Sequence, residues 1–404
     1  MSTEIRQLID YRNDRDATLK LIEWFDVERV RGAKILVVGA GAIGNEALKN
    51  LALLGIGHIF IIDRDTIEMS NLSRSVLYRA SDSGKDKVAV AARAVRELNP
   101  NVKTTYQKAD ITIDVGLGWL RRMDVVIGCL DNNQARLYIN RACWKVGKPW
   151  IDAGIGQLNG QVRVFMPGHG ACYECSFSEA QYDEIRLPCN LLASKYESEG
   201  KIPTTPTIAS IMGAVQVQEA LKLLDASHWE GRTLSGREFL FNGTVGEASV
   251  VSLPEKETCF AHSSLDLTKL VELENASAKG TTAAELLAMA RQHLNADAVI
   301  VLNFELCVEM RCPNCQQSTR MLRPERKIFR EELVCAACGN DRYLVTTHTL
   351  GGSPTDYQED FLDAKLADLG VPSLEILEAR GQNGVSVYLE LTGDVASALS
   401  PTVE

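Results

Sequence analysis

Gly39, Gly41 and Gly44 in "VVGAGAIGNEAL" stand in G-x-G-x-x-G spacing between an apolar run and a helical pattern, and Asp63 closes the next apolar run, "HIFIID". At a strand-to-helix turn glycine permits a tight bend and close approach of a phosphate to the helix N-terminus. An acidic side chain ending the second strand can accept bonds from ribose hydroxyls. That much suits NAD and ATP equally. The residues downstream separate the two. "DRDTIEMSNLSRS" sets Asp65, Asn71 and Arg74 just past the second strand, "GKDKV" adds Lys87, and "CLDNN" puts Asp131 and Asn132 after the fourth. In a parallel sheet all of these converge on the carboxyl ends of the strands, the usual ligand crevice. A dehydrogenase does not need them. Cleavage of a nucleoside triphosphate does: Arg74 and Lys87 would offset polyphosphate charge and Asp131 would hold Mg²⁺. Taken singly, Arg74 and Lys87 read as solvated surface charges and Asp131 as a helix cap. Their joint order and strand-end placement give them weight.

The elements that must position these residues are legible as alternating apolar runs and helical patterns from about Ala33 to Ile155. They run "AKILVVGA", a helix over "GNEALKNLALL", "HIFIID", a helix over "KVAVAARAVREL", "VKTTYQ", "DVVIGCLD", a helix over "QARLYINRACWKV", and "PWIDAGI". Strands alternating with helices predict an α/β fold with a doubly wound, mostly parallel sheet. "QVRVFMPGHGACYEC" follows as a strand ending in a cysteine knuckle, and a polar stretch over about 176–206 reads as a long loop. A helix over "ASIMGAVQVQEALKLL" and strands "REFLFNG" and "ASVVSL" complete a first domain, 1–262. A smaller α+β domain, 263–404, holds a capped helix over "TTAAELLAMARQHL", a strand over "DAVIVLNFELCVEM", a helix over "FLDAKLADLG" and a hairpin in "LEILEARGQNGVSVYLEL".

Within that second domain Cys312, Cys315, Cys335 and Cys338, in "CPNC" and "CAAC", fit a zinc ribbon. Four thiolates leave no open coordination position, so the expected role is structural. The first sixteen residues are polar and charged, with no apolar stretch for a signal peptide or membrane span, which gives the expectation of a cytoplasmic protein without membrane contact. In such a chain eleven cysteines suggest metal ligation before disulfides. A formal charge of −10 argues against broad contact with nucleic acid.

"GAGAIG", "DRDTIEMSNLSR", "GKDKV", "CLDN", "CYEC" and "ASIMGAVQVQEALKLL" stand here in the order found in the ThiF family, which the chain resembles over about residues 10–260. The family comprises adenylating enzymes, including activators of ubiquitin-like proteins and of sulfur-carrier proteins. The resemblance implies ATP in place of NAD. It also implies attack by the C-terminal glycine carboxylate of a small β-grasp protein on the α-phosphate, giving an acyl-adenylate and pyrophosphate, with the enzyme a homodimer. A partner subunit's arginine is implied as well; Arg15 in "YRNDRD", with Arg12 as its rival, is the residue that answers to it. Ser75 departs from the glutamine common in the family.

Where the family has a second C-x-x-C after its long helix, this chain has "CFAH", so the expected first zinc site is Cys172, Cys175, Cys259 and His262. The alternative pairs "CYEC" with "CPNC" and leaves "CAAC" unmatched. Cys129, Cys143 and Cys307 sit in apolar or helical runs and read as core. Cys189 lies in the long loop, near Arg186 and Lys195, where resembling enzymes often carry a reactive cysteine. Its thiolate would take the acyl group as a thioester for a conjugating enzyme. A bland role for Cys189 is a loop anchor beside Leu187, Leu191 and Leu192. The competing functions are a sulfur-carrier adenylyltransferase without an enzyme thioester, a catalytically dead scaffold, and, more distantly, an NAD oxidoreductase.

Overall fold

The computed structural model describes residues 12–178, 181, 203–351 and 361–402. Its first unit is built on an eight-stranded sheet in the order β3-β2-β1-β4-β5-β6-β7-β8. Strands β1 (Lys34–Val38), β2 (His58–Asp63), β3 (Lys103–Lys108), β4 (Val125–Gly128) and β5 (Trp150–Ile155) pair in parallel. β6 (Asn159–Phe165), β7 (Arg237–Asn242) and β8 (Glu247–Ser252) extend it antiparallel. The near-continuous apolar character of β1, β2 and β4 is that of strands covered on both faces.

Helices supply the cover: α1 (Val27–Gly32), α2 (Ala42–Leu54), α3 (Lys87–Leu98), α4 (Leu117–Arg121), α5 (Asn133–Val146) and α6 (Pro206–Leu224). α2 and α6 pack so closely that a Cβ on Gly213 would stand 2.9 Å from the Glu46 Cβ. α2 starts at the glycine loop and ends on Gly55, whose φ of 79° gives the left-handed stop that glycine tolerates. Its Leu48 and Leu51 are fully buried, at about 1.5–3 kcal/mol each from burial.

The second sheet runs β11-β10-β13-β14-β9, with β12 also paired to β10. Its strands are β9 (Leu270–Glu272), β10 (Ala298–Arg311), β11 (Ser318–Pro324), β12 (Tyr343–Leu350), β13 (Ile376–Gly381) and β14 (Ser386–Glu390). The predicted hairpin is β13–β14, in antiparallel register from Ile376 opposite Glu390. α7 (Ala283–Leu294) opens with the predicted capping box: Glu285 N–H donates to Thr282 Oγ1 (3.2 Å) and Thr282 N–H to Glu285 Oε2 (2.7 Å). α8 (Val395–Leu399) closes the described elements.

One predicted element is corrected. "FLDAKLADLG" forms a run of turns, not a helix. Its backbone is committed to the chain around the start of α7: Ala283 and Ala284 N–H donate to Ala364 and Leu362 O, and Leu366 and Ala367 N–H to Thr281 and Ala278 O. Phe361, Leu366 and Leu369 still bury, so apolar spacing mimics a helix while long-range pairing decides the backbone.

The two sheets share a core. Leu374 and Ile376 pack into the same cluster as Leu36, Phe60, Trp119 and Leu120. A Cβ on Gly116 would lie 2.5 Å from the Ser373 oxygen, so only glycine allows this approach. Arg121, the last residue of α4, and Arg122, its C-cap, both pair with the fully buried Glu390 of β14, Arg121 at 2.6 Å.

Candidate functional site

Gly39 leaves β1 with φ 96°, and a Cβ there would meet the Cys129 oxygen at 2.3 Å. A Cβ on Gly44 would meet the Gly39 oxygen at 2.0 Å, whereas one on Gly41 would face open space. Two glycines therefore serve the turn, and Gly41, the N-cap of α2, leaves its backbone open to a ligand at the helix N-terminus. The loop is braced from below. Asn45 Nδ2 donates to Ala40 O (2.8 Å) while its Oδ1 accepts from Leu77 N–H (2.9 Å), and Tyr78 Oη donates to Ala40 O (2.6 Å).

Asp63 ends β2 with one oxygen accepting from Ala40 N–H (2.7 Å) and the other from Asp65 N–H (2.8 Å). Burial pushes its carboxyl above the usual range, against the opposing pull of Lys87. Asp63 thus holds the glycine loop in shape, and each oxygen keeps a lone pair for a hydroxyl donor. Lys87, buried at the start of α3, pairs its Nζ with Asp65 Oδ2 at 2.7 Å. Asn71 is buried and accepts from Glu68 N–H (3.0 Å), which shapes the turn carrying Arg74. Arg74 Nη1 donates to Ser70 O (2.8 Å). Asn132 caps α5 by accepting from Ala135 N–H (2.8 Å), and exposed Asp131 has no ion-pair partner among the described residues.

Gly39, Gly41, Asp63, Asp65, Asn71, Arg74, Lys87, Asp131 and Asn132 line one cavity of about 2270 Å³, as does Ser75, whereas Gly44 lies behind it. Arg15 does not line it. Its Nη2 donates to Leu98 O (2.7 Å), at the end of α3 remote from Lys87. Cys189 lies outside the described residues, with Arg186 and Lys195.

Sequence reasoning missed a charge network in the cavity wall. Asp152 of β5, fully buried, accepts from Arg136 Nε and Arg163 Nη2, each at 2.8 Å. Arg136 sits on the predicted helix after the Asn132 cap, and Arg163 is a charge inside a strand run; those positions were the available signal. Gln216 of α6 was also missed: its Nε2 donates to Gly128 O (2.9 Å) and Ile151 O (3.3 Å), pinning the ends of β4 and β5.

The eight metal-ligand candidates gather into two groups. Cys172 Sγ lies 3.7 Å from both Cys175 and Cys259 Sγ, and Cys175 Sγ lies 3.3 Å from His262 Nε2. In the ribbon, Cys312–Cys338 and Cys315–Cys335 approach to 3.4 and 3.6 Å. A tetrahedron with ~2.3 Å zinc–sulfur arms has edges close to ~3.8 Å, whereas a disulfide needs ~2.05 Å. Both groups fit a structural zinc, and pairing "CYEC" with "CPNC" is overturned. The Trp144 ring lies flat on His262, with centroids 4.2 Å apart. Cys129, Cys143 and Cys307 are buried, and burial pushes their thiols up, Cys307 to about 11.

Residues 13–261 match the ThiF family. The chain belongs to that family. It is 41% identical over 149 residues to the SUMO-activating enzyme subunit uba-2 of Caenorhabditis elegans, across 37% of this chain and 26% of the relative. It is 33% identical over 248 residues to the adenylyltransferase and sulfurtransferase MOCS3 of Culex quinquefasciatus, across 61% of this chain and 54% of the relative. The chain thus spans about half or less of the length of these two relatives. The crystal structure of E. coli MccB with succinimide aligns at TM-score 0.50 and 22% identity, over 59% of this chain and 68% of that one, a likeness of fold alone. Among the described residues no helix is long and apolar enough to cross a membrane.

Proposed function

We propose that this chain is an ATP-dependent adenylyltransferase that activates the C-terminal glycine of a ubiquitin-like or sulfur-carrier protein. The observation that carries the reading is the convergence of Gly41, Asp63, Arg74, Lys87 and Asp131 on one cavity. Its volume exceeds the ~300–1,000 Å³ of a single small-molecule pocket. It has room for a nucleotide and an extended peptide tail. The tail carboxylate oxygen forms a bond to the α-phosphorus, the α–β bridging bond breaks, and pyrophosphate leaves. Arg74 and Lys87 offset the charge that builds on the α-phosphate oxygens, and the open backbone at Gly41 receives the phosphates. Asp131, exposed at the cavity wall and without an ion-pair partner among the described residues, fits a Mg²⁺ ligand; the ion would neutralise the leaving pyrophosphate.

Beyond the adenylate, the reading continues to a thioester on Cys189 and transfer to a conjugating enzyme, by a cytoplasmic homodimer whose Arg15 reaches the partner's cavity. Similarity to a SUMO-activating enzyme subunit supports this course. Similarity to an adenylyltransferase and sulfurtransferase supports the second reading, in which the adenylate passes to a separate sulfur donor and Cys189 is dispensable. The test incubates the purified chain, wild type and Cys189→Ala, with ATP, Mg²⁺ and candidate small proteins ending in glycine, followed by non-reducing gels and intact mass. A reducible adduct lost in the variant supports the thioester. AMP without an adduct supports the sulfur-carrier reading, and absence of AMP and of ATP–pyrophosphate exchange overturns both.

A further inference from the structure

The same cavity is walled on one side by the ribbon unit, through a segment that joins β11 to the second cysteine knuckle. The segment is held at both ends. Pro324 closes β11 opposite Leu306 of β10, and Val334 bridges to Asp341 just before Cys335. In its middle, Lys327 Nζ pairs with Asp114 Oδ1 at 2.7 Å, which docks it on the loop that follows β3.

That loop marks the base end of a nucleotide. Phosphates belong at the α2 N-terminus beside Gly41, and the sugar belongs at Asp63, one strand further along the sheet. Ala109 N–H donates to the Asp63 backbone oxygen (3.2 Å), so 109–113, which line the cavity, begin where the sugar ends. A base extending past Asp63 lies between this loop and the ribbon segment. The segment presents unusual groups there. Phe329 is 68% exposed although apolar, and it lines the cavity with Arg326 and Arg330, which have no ion-pair partner among the described residues. An exposed aromatic ring and guanidinium groups lining one wall are the side-chain types on which a purine stacks.

We propose that Phe329 and Arg326 of the ribbon unit bind the nucleobase, so that the C-terminal unit completes the ATP site. This inference rests on the adenylyltransferase reading. The test is calorimetric binding of ATP and of inorganic triphosphate to the full-length protein: wild type, Phe329→Ala, Arg326→Ala, Phe329→Trp and Lys87→Ala. Both alanine positions are exposed, so the folded chain tolerates the changes. The expected result is a loss of about tenfold in ATP affinity for each alanine variant. Triphosphate affinity stays unchanged, and Phe329→Trp restores ATP binding. Lys87→Ala weakens both ligands. ATP affinity unchanged in both ribbon variants while Lys87→Ala loses it would overturn the inference and leave the adenylyltransferase reading standing. A wild type that binds no ATP overturns both.

Discussion

Lys87 is the residue on which charge and geometry bear most directly. It is buried, its ammonium is held by Asp65, and it opens α3 at the cavity wall. Replacing it with alanine removes a cation aimed at developing phosphate charge, so ATP–pyrophosphate exchange should fall by roughly 10²–10³-fold. Single-turnover measurement of AMP formation checks this, and unchanged exchange would remove Lys87 from the chemistry. At this scale the sequence was informative where spacing repeats a physical demand, as in the glycines, Asp63, Lys87, the Cys₃His group and the four ribbon cysteines. It was silent where a partner comes from far along the chain. Asp152 with Arg163, Gln216 with Gly128, and Phe329 with the cavity depend on strand order and unit docking, which local pattern does not encode.

Among elements, the turn from β1 into α2 leaves little room for change. Gly44→Ala would drive a Cβ into the Gly39 oxygen, and the loop must open or α2 must shift. We expect loss of ATP binding together with a lowered Tm, measured by calorimetry and thermal unfolding; tight ATP binding in a well-folded variant would contradict it. Gly41→Ala, whose Cβ meets nothing, should leave Tm near wild type. The strands and the four long helices of the first unit were readable from their periods, with stops such as Gly55 and Gly147 in the left-handed region. The short α1 and α4 carry too few residues to show a period. β9, β11 and β12 were not readable either, because short or half-exposed strands around a metal knuckle owe their form to β10, β14 and the ligands. "FLDAKLADLG" shows the reverse failure, a helical period overridden by long-range backbone pairing.

The whole molecule is tied together by buried carboxylates where the units meet. Glu375 accepts from Leu117 N–H (3.3 Å) of α4 and Ile376 N–H (2.9 Å), and burial raises its carboxyl from 4.5 to about 7. The folded chain therefore keeps this proton after the unfolded chain has released it. Its stabilisation is complete below about pH 4.5 and is lost as pH rises through about 7. Glu375→Gln, which stays neutral, should flatten this part of the Tm profile between pH 5 and 7; a profile identical to wild type would exclude Glu375 as its source. With Leu374 and Ile376 packed beside Trp119 and Leu120, removal of the second unit would expose a broad apolar face on the first.

The stack of Trp144 on His262 gives the first metal site an optical signature of its own. An indole in face contact with an imidazole senses whether that ring carries a proton or a metal, so its emission should track the state of the Cys₃His group. Adding a chelator to the native protein should change tryptophan fluorescence, and Trp144→Phe should abolish that component while ribbon-cysteine variants retain it. Metal loss at one centre could then be followed in real time, apart from the other, without any attached dye.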